Sequence, residues 1–402
     1  MKKEQMKVCM LTTSFPRWKG DPSTPFVYGI CKRLVKKGIK VDVVAPHDID
    51  TKKFENIDGI NIYRFQYFFP RSLQKVAYGS GGIPENLKKG FFVKIQLPFF
   101  MIFFFLKALK VSKDSDVINA QWAPSGIVAN LIKKLRQKKV VLYIHGASIF
   151  VNYARWIVKS AIVNADFILF NSSYTKDKTL EICTPKKLEI IPWGINTEKY
   201  SPNVKFGSIR KKYKIPKESP LIFCLGRLVE RKGFDILIRA MNAVEQNAIV
   251  IIGGEGPKKE EWKNLAENLN LKNRIIFAGG IPGKELPYYY KDCDIFILPA
   301  IIDTKGDTEG LGIVILEAMA TGKPVIGSAV GGIVDIIDDG KNGYLVKQKN
   351  PDDITDKINY LIKAPSVREA LGIAGRKKIE NQFSWDKVVE RTIDVYAQVL
   401  EK

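Results

Sequence analysis

Short apolar runs rich in Val and Ile recur along this chain, and nearly every one is followed by a segment with helical spacing. Continuous apolar strands that alternate with helices can bury both faces only in a parallel sheet covered on each side. In the first half, residues 7–15, 40–46, 116–122, 139–146, 166–172 and 188–194 read as strands. Residues 25–38, 125–138 and 154–165 read as helices, with Gly38 stopping the first. After a Pro- and Lys-rich stretch at 201–220 the pattern restarts. Strands are then expected at 221–226, 248–256, 274–280, 294–300, 324–328 and 343–346, with helices between. Residues 384–400 form an amphipathic pattern. The expected fold class is therefore α/β, with two Rossmann-like domains. We place the first at 1–195, the second at 196–380 and a terminal helix at 381–402. Ligands of such sheets bind beyond the carboxyl ends of the strands. Two such domains face to face would put a site in the cleft between them.

Composition adds one constraint. Residues 1–200 contain 33 Lys and Arg against 15 Asp and Glu, so most of the net charge of +22 lies in the first half. An anionic partner suits that half, whether membrane, nucleic acid or phosphorylated substrate; a solvated lysine-rich surface is the plain alternative. The lysines are dispersed over helix faces without a nucleic-acid reader motif, so no nucleic-acid partner is expected. Five scattered cysteines suggest reduced thiols in a cytoplasmic protein, and two histidines, His47 and His145, are too few for a histidine-based metal site. The N-terminal segment lacks the pattern of a signal peptide. Residues 91–110 are strongly aromatic, but the charge-free part, Ile95 to Leu106, is short and contains Pro98. Spanning a bilayer takes about 20 apolar residues. A core helix, a helix in the membrane interface and a helix between domains all stay open. Lys94, Lys107 and Lys110 around the aromatics suit the interface.

The chemistry concentrates at 309–327, EGLGIVILEAMATGKPVIG. A glycine-bearing loop feeds a helix expected from about Ile313 to Thr321. A helix start offers N–H groups and partial positive charge, which suit phosphate. Gly310 and Gly312 permit close approach to a ligand, and Glu309 and Glu317 are carboxylates able to hold vicinal hydroxyls. Glu317 lies among apolar residues and should be largely buried, which demands partners. Arg227, just after a strand, and Lys232, just before a helix, suit a diphosphate. His145 ends an apolar strand, and its neutral imidazole could bond a sugar hydroxyl. Gly254, in a turn after a strand, and Gly20, in a long loop, 14–26, able to close over substrate, are candidate donor-binding positions. Asp292 and Asp294 resemble a metal-binding pair but flank the amino end of a strand, so a structural role is expected.

These motifs, in this order, resemble the retaining glycosyltransferases of the large family-four group, which have the GT-B fold. The resemblance is strongest over 187–346 and includes residues 225–241, 249–257, 275–300 and 309–346. It implies transfer of a sugar from a nucleotide-sugar to a hydroxyl acceptor with retained anomeric configuration, without metal or other cofactor. It implies that Arg227 and Lys232 hold the diphosphate and that Glu317 binds the ribose. Glu309 and the backbone around Gly310, Leu311, Gly312, Ile313 and Val314 would meet the donor sugar. His145 would meet the donor sugar's distal hydroxyls, and the backbone at Ile281 the base. The terminal helix would return to the first domain. The chain departs from the family where Trp193-Gly194 replaces Asn-Gly, where Asn196 replaces Asp, and where Ala147-Ser148 replaces an acidic residue. The basic first half and the aromatic helix suggest a lipid-linked or glycan acceptor at the inner face of the cell membrane, against an anionic surface. An epimerase or phosphorylase of similar fold, or an inactive lipid-binding relative, is the alternative.

Overall fold

A computed structural model of the chain describes residues 6–18, 20–21, 23–79, 82–146, 155–245 and 247–401. It divides into two compact units, 1–194 with 388–402, and 195–387. The first holds strands β1 (Lys7–Leu11), β2 (Lys40–Pro46), β3 (Phe54–Ile57), β4 (Ile60–Phe65), β5 (Val117–Gln121), β6 (Lys139–Ile144), β7 (Phe167–Phe170) and β8 (Leu188–Ile190). Their order across the sheet is β3-β4-β2-β1-β5-β6-β7-β8. All neighbours run parallel except β3 and β4. That pair is a hairpin the strand–helix reading did not assign. Asp58 and Gly59 both have positive φ, 51° and 80°, as the tight two-residue turn between right-twisted strands requires.

Helices α1 (Pro25–Lys36), α2 (Gly82–Leu87), α3 (Phe91–Val111), α4 (Trp122–Arg136), α5 (Arg155–Asn164) and α6 (Ser173–Leu180) complete the run of the chain up to β8. Helix α3 is the aromatic segment, and it has two apolar faces. Val93, Phe100, Phe104 and Ala108 are buried in the core of this unit. Phe104 stacks on Phe65 at 4.8 Å, and Phe100 meets Phe65 and Tyr67 edge-on. The buried Gln96 accepts from the Lys75 N–H and donates to the Leu73 carbonyl. The helix is long and apolar enough to cross a membrane by length and composition. Each buried Phe is worth about 1.5–3 kcal/mol, however, and Gln96 would lose both partners, so this face keeps α3 on the sheet. The opposite face, with Phe92, Ile95, Phe99, Ile102, Phe103 and Leu106, is exposed. The core and interface readings of the segment therefore describe its two sides.

The second unit holds β9 (Leu221–Leu225), β10 (Ile249–Gly253), β11 (Ile275–Gly279), β12 (Ile295–Leu298), β13 (Val325–Ser328) and β14 (Tyr344–Val346), ordered β11-β10-β9-β12-β13-β14 and all parallel. Its helices are α7 (Ser208–Lys212), α8 (Phe234–Ala240), α9 (Lys259–Asn268), α10 (Leu286–Asp292), α11 (Ile313–Ala320), α12 (Ile333–Ile336), α13 (Pro351–Lys363) and α14 (Pro365–Lys378). The final helix, α15 (Trp385–Leu400), belongs to the first unit from Val388 onward. There its apolar stripe, including Val389, Ile393 and Tyr396, is buried, and Arg391 pairs with Glu189 at 2.9 Å.

Candidate active site

In the second unit the chain runs from β9 outward through β10 to β11, then returns to β12 on the other side of β9. A reversal of this kind leaves a crevice beyond the carboxyl ends of the two central strands. Because all six strands are parallel, every strand-end loop opens on that one edge. Arg227 and Lys232 follow β9, Gly254 follows β10, Ile281 follows β11, and residues 309–317 follow β12. The topology thus gathers the predicted donor-side residues from loops dispersed in sequence.

At the reversal itself, Lys232 and Glu309 form a close ion pair through Nζ and Oε2, with side chains only 11% and 17% exposed. Lys232 ends a helical turn, 230–232, and its aliphatic stem lies across Gly226. A Cβ on Gly226 would sit 3.0 Å from Lys232 Cε. The loop after β12 is fastened to the same turn. Arg231 pairs with Asp307 at 3.3 Å, Glu230 accepts from the Thr304 N–H and hydroxyl, and the Ile301 N–H donates to the Arg231 carbonyl. Burial works to raise the Glu309 carboxyl pKa. Lys232's charge and hydrogen bond, with help from Arg231 and the Gly312 N–H, outweigh it and hold the group below the ordinary carboxylate value. Glu309 is therefore ionised at neutral pH. Lys232 has three N–H donors, of which this pair uses one.

Helix α11 starts at Ile313 and ends one residue short of the expected Thr321. Gly312 precedes it with φ of 93°, a left-handed conformation that a side chain would strain. Gly310 and Leu311 lie in the approach to the helix, Leu311 buried; Ile313 and Val314 are half-buried in its first turn, where N–H groups have no intrahelical partner. One turn on, Glu317 is half-buried, less than the sequence suggests. It does have the partners that burial demands: Tyr290 donates to Oε2 at 2.7 Å and the Tyr200 hydroxyl also bonds it. Burial raises the Glu317 pKa, with the two phenols and the nearby Lys199 charge offsetting part of the effect.

Arg227 is exposed and forms no ion pair among the described residues. Gly254 is packed backbone to backbone: a Cβ there would lie 1.9 Å from the Gly226 carbonyl oxygen. Its observed role is to let the β10 loop cross the β9 loop. Ile281 covers Gly253 at the end of β10. Asp292 accepts from the N–H groups of Gly207, Ile209 and Arg210, capping α7, and Asp294 pairs with Arg210 at 2.7 Å. Both are structural, as their place in the strand pattern suggests. No group of three or more His, Cys, Asp or Glu among the described residues is placed to hold a metal ion.

In the first unit the order reverses between β1 and β5. Gly20, exposed in open space with φ of 94°, lies in the loop after β1; Lys19 and Pro22 of that loop are outside the described residues. The buried Asp21 knots the loop by accepting from the Arg17 side chain and N–H and from Ser23. Burial opposes ionisation, but these donors bring the Asp21 pKa down to about 2. At the end of β6, His145 is 7% exposed and fully bonded within the protein. The indole N–H of Trp193 donates to Nδ1 at 3.0 Å, so the proton is on Nε2, which donates to the Gln121 Oε1 at 2.7 Å. Gln121 donates to Asn119, and Asn119 to the Tyr396 hydroxyl. Phe26, Trp122 and Tyr143 close around the ring, and Trp122 holds a positive φ of 65°. Burial lowers the His145 pKa to about 3. The imidazole is neutral, as expected, yet neither nitrogen is open to a sugar hydroxyl. The departure Trp193 accounts for Nδ1, and Gln121 takes Nε2. Ala147-Ser148 lie outside the described residues.

Residues 24–199 match the family described as Glycosyltransferase Family 4, and residues 205–378 match glycosyl transferases group 1. A GDP-mannose-dependent alpha-(1-6)-phosphatidylinositol monomannoside mannosyltransferase of Mycolicibacterium smegmatis is 33% identical over 65% of this chain and 71% of its own length. An uncharacterized glycosyltransferase of Methanocaldococcus jannaschii is 29% identical over 98% of this chain and 99% of its own. Among solved structures, a sucrose-phosphate synthase from Thermosynechococcus elongatus superposes with a TM-score of 0.79 at 21% identity, covering 98% of this chain and 99% of that one. Anabaena HepE in complex with UDP gives 0.75 at 18% identity, covering 98% and 100%. These likenesses give the GT-B fold, and with the matched families they place this chain among the family-4 glycosyltransferases.

Proposed function

We propose that the chain moves a hexose from a nucleotide-sugar to a hydroxyl of a lipid-linked or glycan acceptor, with retention at the anomeric carbon. The observation that carries this reading is the Lys232–Glu309 pair at the point where the second sheet reverses. Lys232 keeps donors for a diphosphate, the exposed Arg227 supplies a second cation, and the start of α11 supplies N–H groups. Glu309, ionised beside them, accepts from hydroxyls of the donor sugar, and Glu317 from those of the ribose. As the glycosidic bond to phosphate lengthens, negative charge grows on the leaving diphosphate and positive charge on the sugar. The cations meet the first, and preorganised electrostatics of this kind usually supply the largest share of rate enhancement. The acceptor hydroxyl attacks from the face the diphosphate leaves, and its proton passes to the departing phosphate oxygen. His145 is unsuited as a base, because both its nitrogens are engaged and protonation is disfavoured.

The mycolicibacterial relative's name joins GDP-mannose to a phosphatidylinositol mannoside. GDP-mannose is therefore the first donor to try and an anionic glycolipid the first acceptor class. The exposed face of α3 and the basic first half of the chain favour work at the cytoplasmic surface of a membrane. The test is turnover of GDP-mannose, UDP-glucose and ADP-glucose with lipid acceptors, with the product's anomeric proton read by NMR. Turnover that survives EDTA and yields the donor's own anomeric configuration is expected. An inverted product, or loss of activity on chelation, would refute those parts of the reading.

A further inference from the structure

Where the outer face of α3 ends, a cavity of about 290 Å³ opens beside the edge of the first sheet. Its walls include Lys53, Lys107 and Lys110, with Phe103, Leu106 and Gln66. Arg64 borders it too, but that guanidinium is buried and neutralised by Glu55 at 2.9 Å. The three lysines are different. None pairs with an acid among the described residues, whereas Lys7, Lys133, Lys258 and Lys259 each sit beside a carboxylate. Burial lowers the Lys107 pKa, and the charges of Lys110 and Lys53 lower it further, so the three ammonium groups repel one another across this space. Convergent cations without a counter-charge are costly unless an anion joins them.

The surroundings say which anion. Phe91, Phe92, Ile95, Phe99, Ile102, Phe103 and Leu106 are each at least 43% exposed and form a stripe along α3. From Phe91 to Leu106 it runs about 22 Å at 1.5 Å per residue. Phe68 meets Phe92 and Phe99 edge-on, which sets the 82%-exposed Phe69 beside the same face. Apolar exposure on this scale marks an interaction surface. An exposed apolar helix face with lysines beside it suits a helix lying in the bilayer interface, its aromatics toward the acyl chains and its lysines at the level of the lipid phosphates.

We propose that the Lys53–Lys107–Lys110 cavity is a binding site for the phosphate of an anionic membrane lipid, seated while the α3 stripe lies in the bilayer interface. The proposal rests on the membrane reading above and adds to it a localised phosphate site. A free phosphate shares the chemistry, but the adjoining apolar stripe commits the site to lipid.

Flotation with phosphatidylcholine vesicles, alone or with 30% phosphatidylglycerol, tests it on the full chain. Each lysine near an anionic surface is worth about fivefold in affinity. The variant K53A/K107A/K110A should lose at least tenfold of its affinity for the phosphatidylglycerol vesicles and keep its weak binding to phosphatidylcholine. A control of equal charge, K36A/K40A/K134A, removes exposed lysines elsewhere on the first unit and should lose less than threefold. Equal losses in the two variants would overturn the site in favour of diffuse attraction. Displacement of the wild type by inorganic phosphate at constant ionic strength would reassign it to a free anion. Wild type that binds both vesicles alike would remove the phosphate site and leave the membrane reading standing; wild type that binds neither would remove both.

Discussion

His145 and Lys232 both follow a central region of a parallel sheet, yet they are built to opposite specifications. His145 is buried, neutral and bonded at both nitrogens, with its partners bonded in turn as far as Tyr396 on the terminal helix. Lys232 shares one bond with the ionised Glu309 and stands near an Arg227 that has no ion-pair partner among the described residues. A satisfied neutral network has nothing to gain from a ligand and acts as a frame. A sparsely bonded ionic pair in a crevice is stabilised further by an incoming diphosphate. On the proposed function, the difference separates a part that positions from a part that binds.

The comparison breaks most easily at Lys232. Lys232→Met should lower kcat/KM by about 10²–10³ and destabilise the fold, since it leaves Glu309 half-buried without its cation. Adding Glu309→Gln should recover stability in denaturant titrations but not turnover. Arg227→Ala should lower kcat/KM by about ten- to a hundredfold while stability shifts by no more than about 0.5 kcal/mol, as expected for an exposed side chain. In the first unit the order of effects reverses. Trp193→Phe should cost about 1–3 kcal/mol of stability by orphaning Nδ1 of a buried imidazole, with a smaller effect on turnover than either cation.

Proton linkage sharpens the contrast. The folded pKa of His145 is about 3, below the unfolded value, so the unfolded chain binds the proton first. Its contribution is complete above about pH 6.5 and is lost as pH falls toward 3, with a slope of up to about 1.4 kcal/mol per pH unit. His145→Gln should flatten that slope in urea midpoints measured from pH 7 to 4. Asp21 gives the smaller of the two pH effects: its stabilisation of about 2 kcal/mol persists above its unfolded pKa and disappears as pH falls through about 2. Asp21→Asn should therefore be less stable than the wild type at pH 7 and approach it in strong acid.

What the sequence reveals follows the reach of its signals. Local patterns place α11 within a residue, because Gly312 and Gly322 with Pro324 bracket an apolar run. Parallel strands then determine which loops share an edge, so Arg227, Lys232, Glu309 and Glu317 could be named together. The partners of those residues could not. Tyr200 and Tyr290 reach Glu317 from positions 117 and 27 residues away, and neither carries a local mark. Gln121 and Tyr396, which fix the state of His145, are likewise joined only by tertiary packing. The β3–β4 hairpin was readable, since Asp58-Gly59 is a strong turn signal between β-rich runs. It stands outside the alternation of strands with helices that the rest of the unit follows. Gly254 shows the converse limit: glycine after a strand suggests ligand approach, and here the close neighbour is the chain's own backbone.

The claim on which the rest depends is that the second unit clasps a diphosphate at Lys232. Crystals soaked in turn with GDP and UDP test it most directly. The account predicts that one of them is held with a phosphate oxygen in hydrogen-bond reach of Lys232 Nζ and Arg227, and with its ribose on Glu317. A nucleotide bound away from the carboxyl ends of β9 and β12, or an unchanged Lys232–Glu309 pair with neither nucleotide bound, would contradict it.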